Sequence, residues 1–227
     1  MRKITRKALT ITAAAAGTVA LTALPAFAAT GVSLPGVTPP SFDEPITGQN
    51  DGNVVAFNTR SGAVLICTGL AAKGTVDVGS NLTEPIGEVK YLTFSGCSVN
   101  GLSANVTAQD LPWTLETTGT TSSGVTPGRL SGVNVHVEVP SLNCGTDFQG
   151  DGAPGEINGT HANPANPGDP SRLELPFGAS NNLKATNSDA ACPVDLVQDG
   201  DGASLAGVIL LRGDNATGNE GPTVIRT

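Results

Sequence analysis

The sequence predicts an all-β protein, a β-sandwich of about ten short, mainly antiparallel strands joined by long Gly/Pro/Asn/Asp loops. Three observations support that class. Short runs of aliphatic and β-branched residues recur between turn residues, roughly every 8–15 residues. Breakers are abundant, with 29 Gly and 16 Pro among 227 residues. No window carries apolar residues at helical spacing with helix formers between them. A barrel would satisfy the same pattern, and periodicity alone does not separate the two.

In chain order the expected strands are 54–60, 63–67, 75–78, 89–97, 113–117, 130–139, 173–177, 183–186, 205–211 and 223–226. The clearest is the run Val133 to Val139. Val133, Val135, Val137 and Val139 fall on one face, and Asn134, His136 and Glu138 on the other. A period of two with β-branched residues marks a strand with one face in the core. The stretch 149–170, QGDGAPGEINGTHANPANPGDP, reads as one long loop.

Residues 1–28 have the form of a secretory signal. Arg2, Lys3, Arg6 and Lys7 precede an apolar run, and Ala26-Phe27-Ala28 supplies an A-x-A cleavage pattern. Residues 29–50 hold four prolines without alternation and are expected to be an extended, mobile segment. Residues 51–227 then form a single β-sandwich domain. Export makes the protein secreted and extracellular, with no integral membrane segment once the signal is removed.

Export also governs the reading of the four cysteines. An even set in an oxidising compartment implies two disulfides. The intervals between Cys67, Cys97, Cys144 and Cys192 contain 29, 46 and 47 residues, against the short C-x₂₋₄-C spacing of zinc sites. Sequence-adjacent strands commonly neighbour one another, so the expected pairs are Cys67–Cys97 and Cys144–Cys192.

Charge excludes one class of partner. Four of the 12 Lys+Arg lie in the signal region and all 20 Asp+Glu follow it, so nucleic acid finds no basic surface. Catalysis has few candidates. His136 and His161 are the two histidines, and there is no G-x-S-x-G. His136 is expected on a solvated strand face and His161 in the long loop. Sugar hydrolysis would draw on carboxylates and aromatic platforms, but the chain has one Trp, one Tyr and six Phe. Trp113, in Leu111-Pro112-Trp113, is either a core residue or a binding platform.

Acidic loops raise calcium as the one candidate cofactor. Calcium takes six to eight hard oxygens, and Asp/Asn/Gly loops supply them. The candidates are Asp147, Asp151, Asp195 and Asp199, with Glu156 and Asp201 beside them. No run fits the EF-hand pattern, and a solvated anionic face is the competing reading. The segments Cys144–Gly152 and Cys192–Gly200 both fit C-x₂-D-Φ-x₂-D-G, a weak internal echo. Arg212-Gly213-Asp214 has the form of an adhesion tripeptide.

The Ala-rich signal, Cys67 and Cys97, Leu111-Pro112-Trp113, the 128–137 strand and the later Cys144 and Cys192 together resemble a broad class of small, disulfide-bonded, secreted actinobacterial β-proteins. That resemblance implies secretion and disulfides and no particular chemistry. The function expected is therefore a non-enzymatic binding or structural module at or outside the cell envelope, its partner an envelope component or another secreted protein. The alternatives are a carrier of a small apolar ligand and an extracellular hydrolase using loop carboxylates.

Overall fold

The structure is a computed structural model that describes residues 29–176, 181–214 and 220–227. The expected signal segment 1–28 and Phe177 of the seventh expected strand lie outside the described residues. In chain order the strands are β1 (Thr30–Ser33), β2 (Ser41–Asn50), β3 (Val54–Asn58), β4 (Val64–Leu82), β5 (Gly87–Val99) and β6 (Leu102–Ser103). They continue as β7 (Asn105–Gln109), β8 (Trp113–Thr117), β9 (Val125–Ser131), β10 (Asn134–Val139) and β11 (Cys144–Gly150). The last are β12 (Glu156–Ala162), β13 (Ser171–Leu175), β14 (Leu183–Thr186), β15 (Ala203–Gly213) and β16 (Thr223–Arg226). All pairings between these strands are antiparallel, and the all-β class is as the sequence predicts.

Hydrogen bonds join the strands into one continuous sheet that returns on itself. β4 pairs with β5, and the path runs on through β8, β9, β12, β13, β15 and β2 back to β4. Closure of this kind is the barrel solution to the problem of exposed strand edges. A second circuit shares the long strands β4, β5 and β15. There β3 replaces β2 between β4 and β15, and β5 leads through β7, β10 and β11 to β14. β14 returns to the start of β15 through the Lys184–Gly202 bridge and the Ala185 N–H donated to Asp201 O.

Long strands make the double closure possible. β4 runs 19 residues and replaces the two short strands expected at 63–67 and 75–78. Its middle, Leu-Ala-Ala-Lys-Gly, has weak β character, but partners on both sides hold it extended. The register slips by one residue at Lys73–Gly74. A Cβ at Gly74 would sit 2.0 Å from the Glu88 carbonyl oxygen, so only glycine lets the backbones approach there. The expected strand 130–139 is instead divided at Gly132, whose φ of +85° turns the chain between β9 and β10.

Several expectations are corrected. Residues 29–50 are extended but not a free tail: β1 pairs with β4 and β16, and β2 lies between β4 and β15. Pro45 is tolerated because its carbonyl accepts from Asp214 N beyond the end of β15. The N–H it lacks would point to that same side, away from the β4 ladder. The stretch 149–170 is not one loop, since β12 occupies Glu156–Ala162 and pairs over seven residues with β9. Within the adhesion-type tripeptide, Arg212 and Gly213 are strand residues opposite Thr47 and Ile46. The internal echo has no structural counterpart, because Cys144–Gly150 is a strand and the segment after Cys192 is a string of turns.

Candidate functional site

Alternation along the strands sends one side chain in two toward the interior. Val133, Val137 and Val139 are buried there as the pattern requires, with Asn134, His136 and Glu138 on the opposite face. The interior is incompletely filled. One cavity of about 100 Å³ lies within the second circuit, among Leu65, Val106, Val137, Phe148 and Leu183. A second of about 100 Å³ lies within the first circuit, among Leu70, Leu92, Leu130, Leu173 and Ile209. Asn58 and Thr146 are the polar residues at the first; Thr47, Lys73 and Glu88 are those at the second. Val54, Phe94, Val135 and Leu205 line both. At about 24 cal/mol per Å³, leaving each unfilled costs about 2 kcal/mol, a sizeable share of a domain's stability of about 5–15 kcal/mol.

The two disulfides form in the expected pairing. Cys67 and Cys97 are direct cross-strand partners of β4 and β5, with Cα atoms 4.0 Å apart. Cys144–Cys192, with Cα atoms 4.6 Å apart, ties β11 to the segment that follows β14. Cys67 and Cys144 both line the first cavity, so each bridge clamps a wall of it.

Trp113 is a core residue rather than an exposed platform. It is 2% exposed, packs with Val133, Ile157 and Leu183, and donates its indole Nε1–H to Gln109 O at 2.8 Å. Its ring contributes to the wall of the second cavity. Its apolar neighbours are partly buried as well, Leu111 against the Trp113 cluster and Leu115 against the cluster of Ile46, Val76 and Ile86.

The calcium candidates are dispersed. Asp147 Oδ1 accepts the Nδ1–H of His136 at 2.7 Å, and its Oδ2 accepts from Asn187 Nδ2 at 3.0 Å. Asp199 Oδ1 accepts the Ser188 N–H at 2.8 Å, and these bonds hold its carboxyl below the usual range. Asp195 and Asp151 are exposed in turns. Glu156 pairs with Arg129 at 3.1 Å, and Asp201 with Arg60. Among the described residues no three His, Cys, Asp or Glu side chains come together as a metal group. Each carboxylate is met by its own donor or by solvent, so the clustering that calcium requires does not arise.

The Asp147–His136 pair was not foreseen. Opposed positions on β10 and β11 bring the two together, on the outer face of the sheet. The imidazole edge lies over Gly145, where a Cβ would meet His136 Nε2 at 3.3 Å and Asp189 Oδ2 at 3.0 Å. Asp189 is held there by accepting the Gly145 N–H at 2.8 Å. The hairpin turn at Pro140–Leu142, closed by Asn143 in the left-handed region, sets that register and was the signal available in the sequence.

His161 is the other surprise. It sits on β12 opposite Thr126 of β9 and Leu173 of β13, with both ring nitrogens enclosed and without a hydrogen-bond partner. Burial pushes its pKa down to about 4. Ser171, fully buried on β13, likewise has no partner for its hydroxyl. Reading 149–170 as a loop concealed His161.

No family model, curated protein or solved structure matches this chain.

Proposed function

We propose that the chain is a secreted, non-enzymatic binding module working at or outside the cell envelope. The observation that carries this reading is the pair of adjoining apolar cavities inside a disulfide-clamped sheet. Chemistry in a concave site needs titratable groups directed into it, and hydrocarbon side chains dominate both linings. Cavities of this kind favour binding over a purely structural role, because filling them would stabilise a scaffold that had no ligand to accept. Release through the 1–28 signal, and an oxidising destination for the two bridges, belong to the same reading.

Native mass spectrometry of protein recovered from culture supernatant tests it. The expected species lacks residues 1–28 and carries two disulfides. A mass that retains residues 1–28 would refute export. Hydrolysis of an ester or glycoside, abolished by Asp147→Asn with the fold intact, would refute the non-enzymatic reading in favour of the Asp147–His136 pair as an acid–base device.

A further inference from the structure

We infer that the two cavities are halves of one lumen, pinched at a waist by Phe94, and that the lumen takes a small, uncharged, elongated apolar molecule. The inference rests on the binding reading above and names its ligand class and the residue that limits ligand length. Four side chains line both cavities: Val54 from β3, Leu205 from β15, Phe94 from β5 and Val135 from β10. They form the common wall, and Phe94 is the largest of them. It sits between Thr93 and Ser95, both exposed on the outer face, so alternation directs its ring inward. β5 belongs to both circuits, which is why one of its residues can stand between their interiors.

Size and polarity define the occupant. Each half, at about 100 Å³, is smaller than the roughly 150 Å³ apolar cavity that holds benzene or xenon. One half alone takes an atom or a few carbons. Both halves, joined by displacement of the Phe94 ring, accommodate a chain rather than a round molecule. Apolar cavities of this type stay dry, so the ligand displaces no ordered water. A charged head group would find no compensating partner in the first cavity, where Asn58 and Thr146 are the polar lining residues, and in the second Lys73 and Glu88 present only apolar parts to the interior.

The test uses the exported full-length mature protein, methyl-labelled at Val and Leu, with dissolved xenon, benzene and n-hexane as probes. Xenon is expected to shift methyl resonances of Val54, Val135 and Leu205 together with those of both cavity linings, and n-hexane to raise the melting temperature more than benzene. Phe94→Ala is expected to tighten n-hexane about tenfold relative to benzene. Phe94→Leu serves the same comparison if the alanine variant does not fold. Unchanged Val54, Val135 and Leu205 resonances at saturating xenon, in a protein with an intact native spectrum, would overturn the lumen. Binding in wild type with no change of preference in either Phe94 variant would overturn the waist. Both outcomes leave the export and non-enzymatic readings to the mass-spectrometric and hydrolysis tests.

Discussion

Arg60 grips Asp201 from two directions: Nε lies 2.5 Å from Oδ1 and an Nη atom 2.8 Å from Oδ2, with the carboxylate side chain only 4% exposed. Asn58 Nδ2 and the Gln198 N–H donate to the same carboxylate at 2.9 Å. The β3–β4 turn is thereby locked to the segment after Cys192, across the end of the first cavity.

Asp201→Ala removes four hydrogen bonds and leaves the buried Asn58 amide with only its 3.3 Å bond to Leu196 O, so a loss of about 1–3 kcal/mol is expected in urea unfolding at neutral pH. The carboxyl is held down to about 2, chiefly by the Arg60 hydrogen bond, with burial opposing. Its depressed pKa means that the stability it contributes is present above the ordinary value near 3.8 and is lost as pH falls toward 2. The alanine variant should lack that part of the acid transition. An unfolding profile below pH 4 identical to wild type would contradict the assignment.

His161 acts in a higher window. Its folded pKa of about 4 lies below the ordinary 6.5, so the unfolded chain binds a proton first as pH falls. Stability present above pH 6.5 is lost down to pH 4, by about 3 kcal/mol. His161→Leu removes the titrating ring from an apolar enclosure and should flatten the curve between pH 7 and 4. Denaturant melts of the two proteins at pH 7, 5.5 and 4 decide it.

The disulfides close chain segments with separations of 30 and 48 residues, each worth about 4 kcal/mol in the chain-entropy account. Reduction should lower the melting temperature by many degrees. Cys144→Ser with Cys192→Ser should in addition loosen the contact of Asp189 with Gly145, seen as faster amide exchange at Gly145. Peptide mapping that links Cys67 to Cys144 or Cys192 would contradict the pairing.

Calcium should do nothing specific. Asp147, Asp151, Asp195 and Asp199 do not converge, and Asp147 is already engaged by His136 and Asn187. Scanning calorimetry in millimolar CaCl₂ and in EDTA at matched ionic strength should give the same melting temperature. A calcium-dependent rise abolished by Asp147→Asn would show that the carboxylates gather when the ion is present.

The β10 alternation, both disulfide pairs and the all-β class were legible in residue order because they depend on local periodicity and on contacts between neighbouring strands. Val133 to Val139 needed no partner to declare which face is buried. Other features depended on what lay opposite. The Gly- and Asn-rich run around Ile157 became a strand because β9 and β13 flank it, and Pro45 was admitted because its missing donor faces past the end of β15. The same holds at the sites. Asp147 as a single acidic residue resembled a calcium ligand, and only the β10–β11 register made it the partner of His136. Phe94 carried no distinguishing signal in residue order. Its place between two cavities follows from closure of the sheet into two circuits, a property of strand pairings far apart in the chain, which hydrophobic periodicity does not encode.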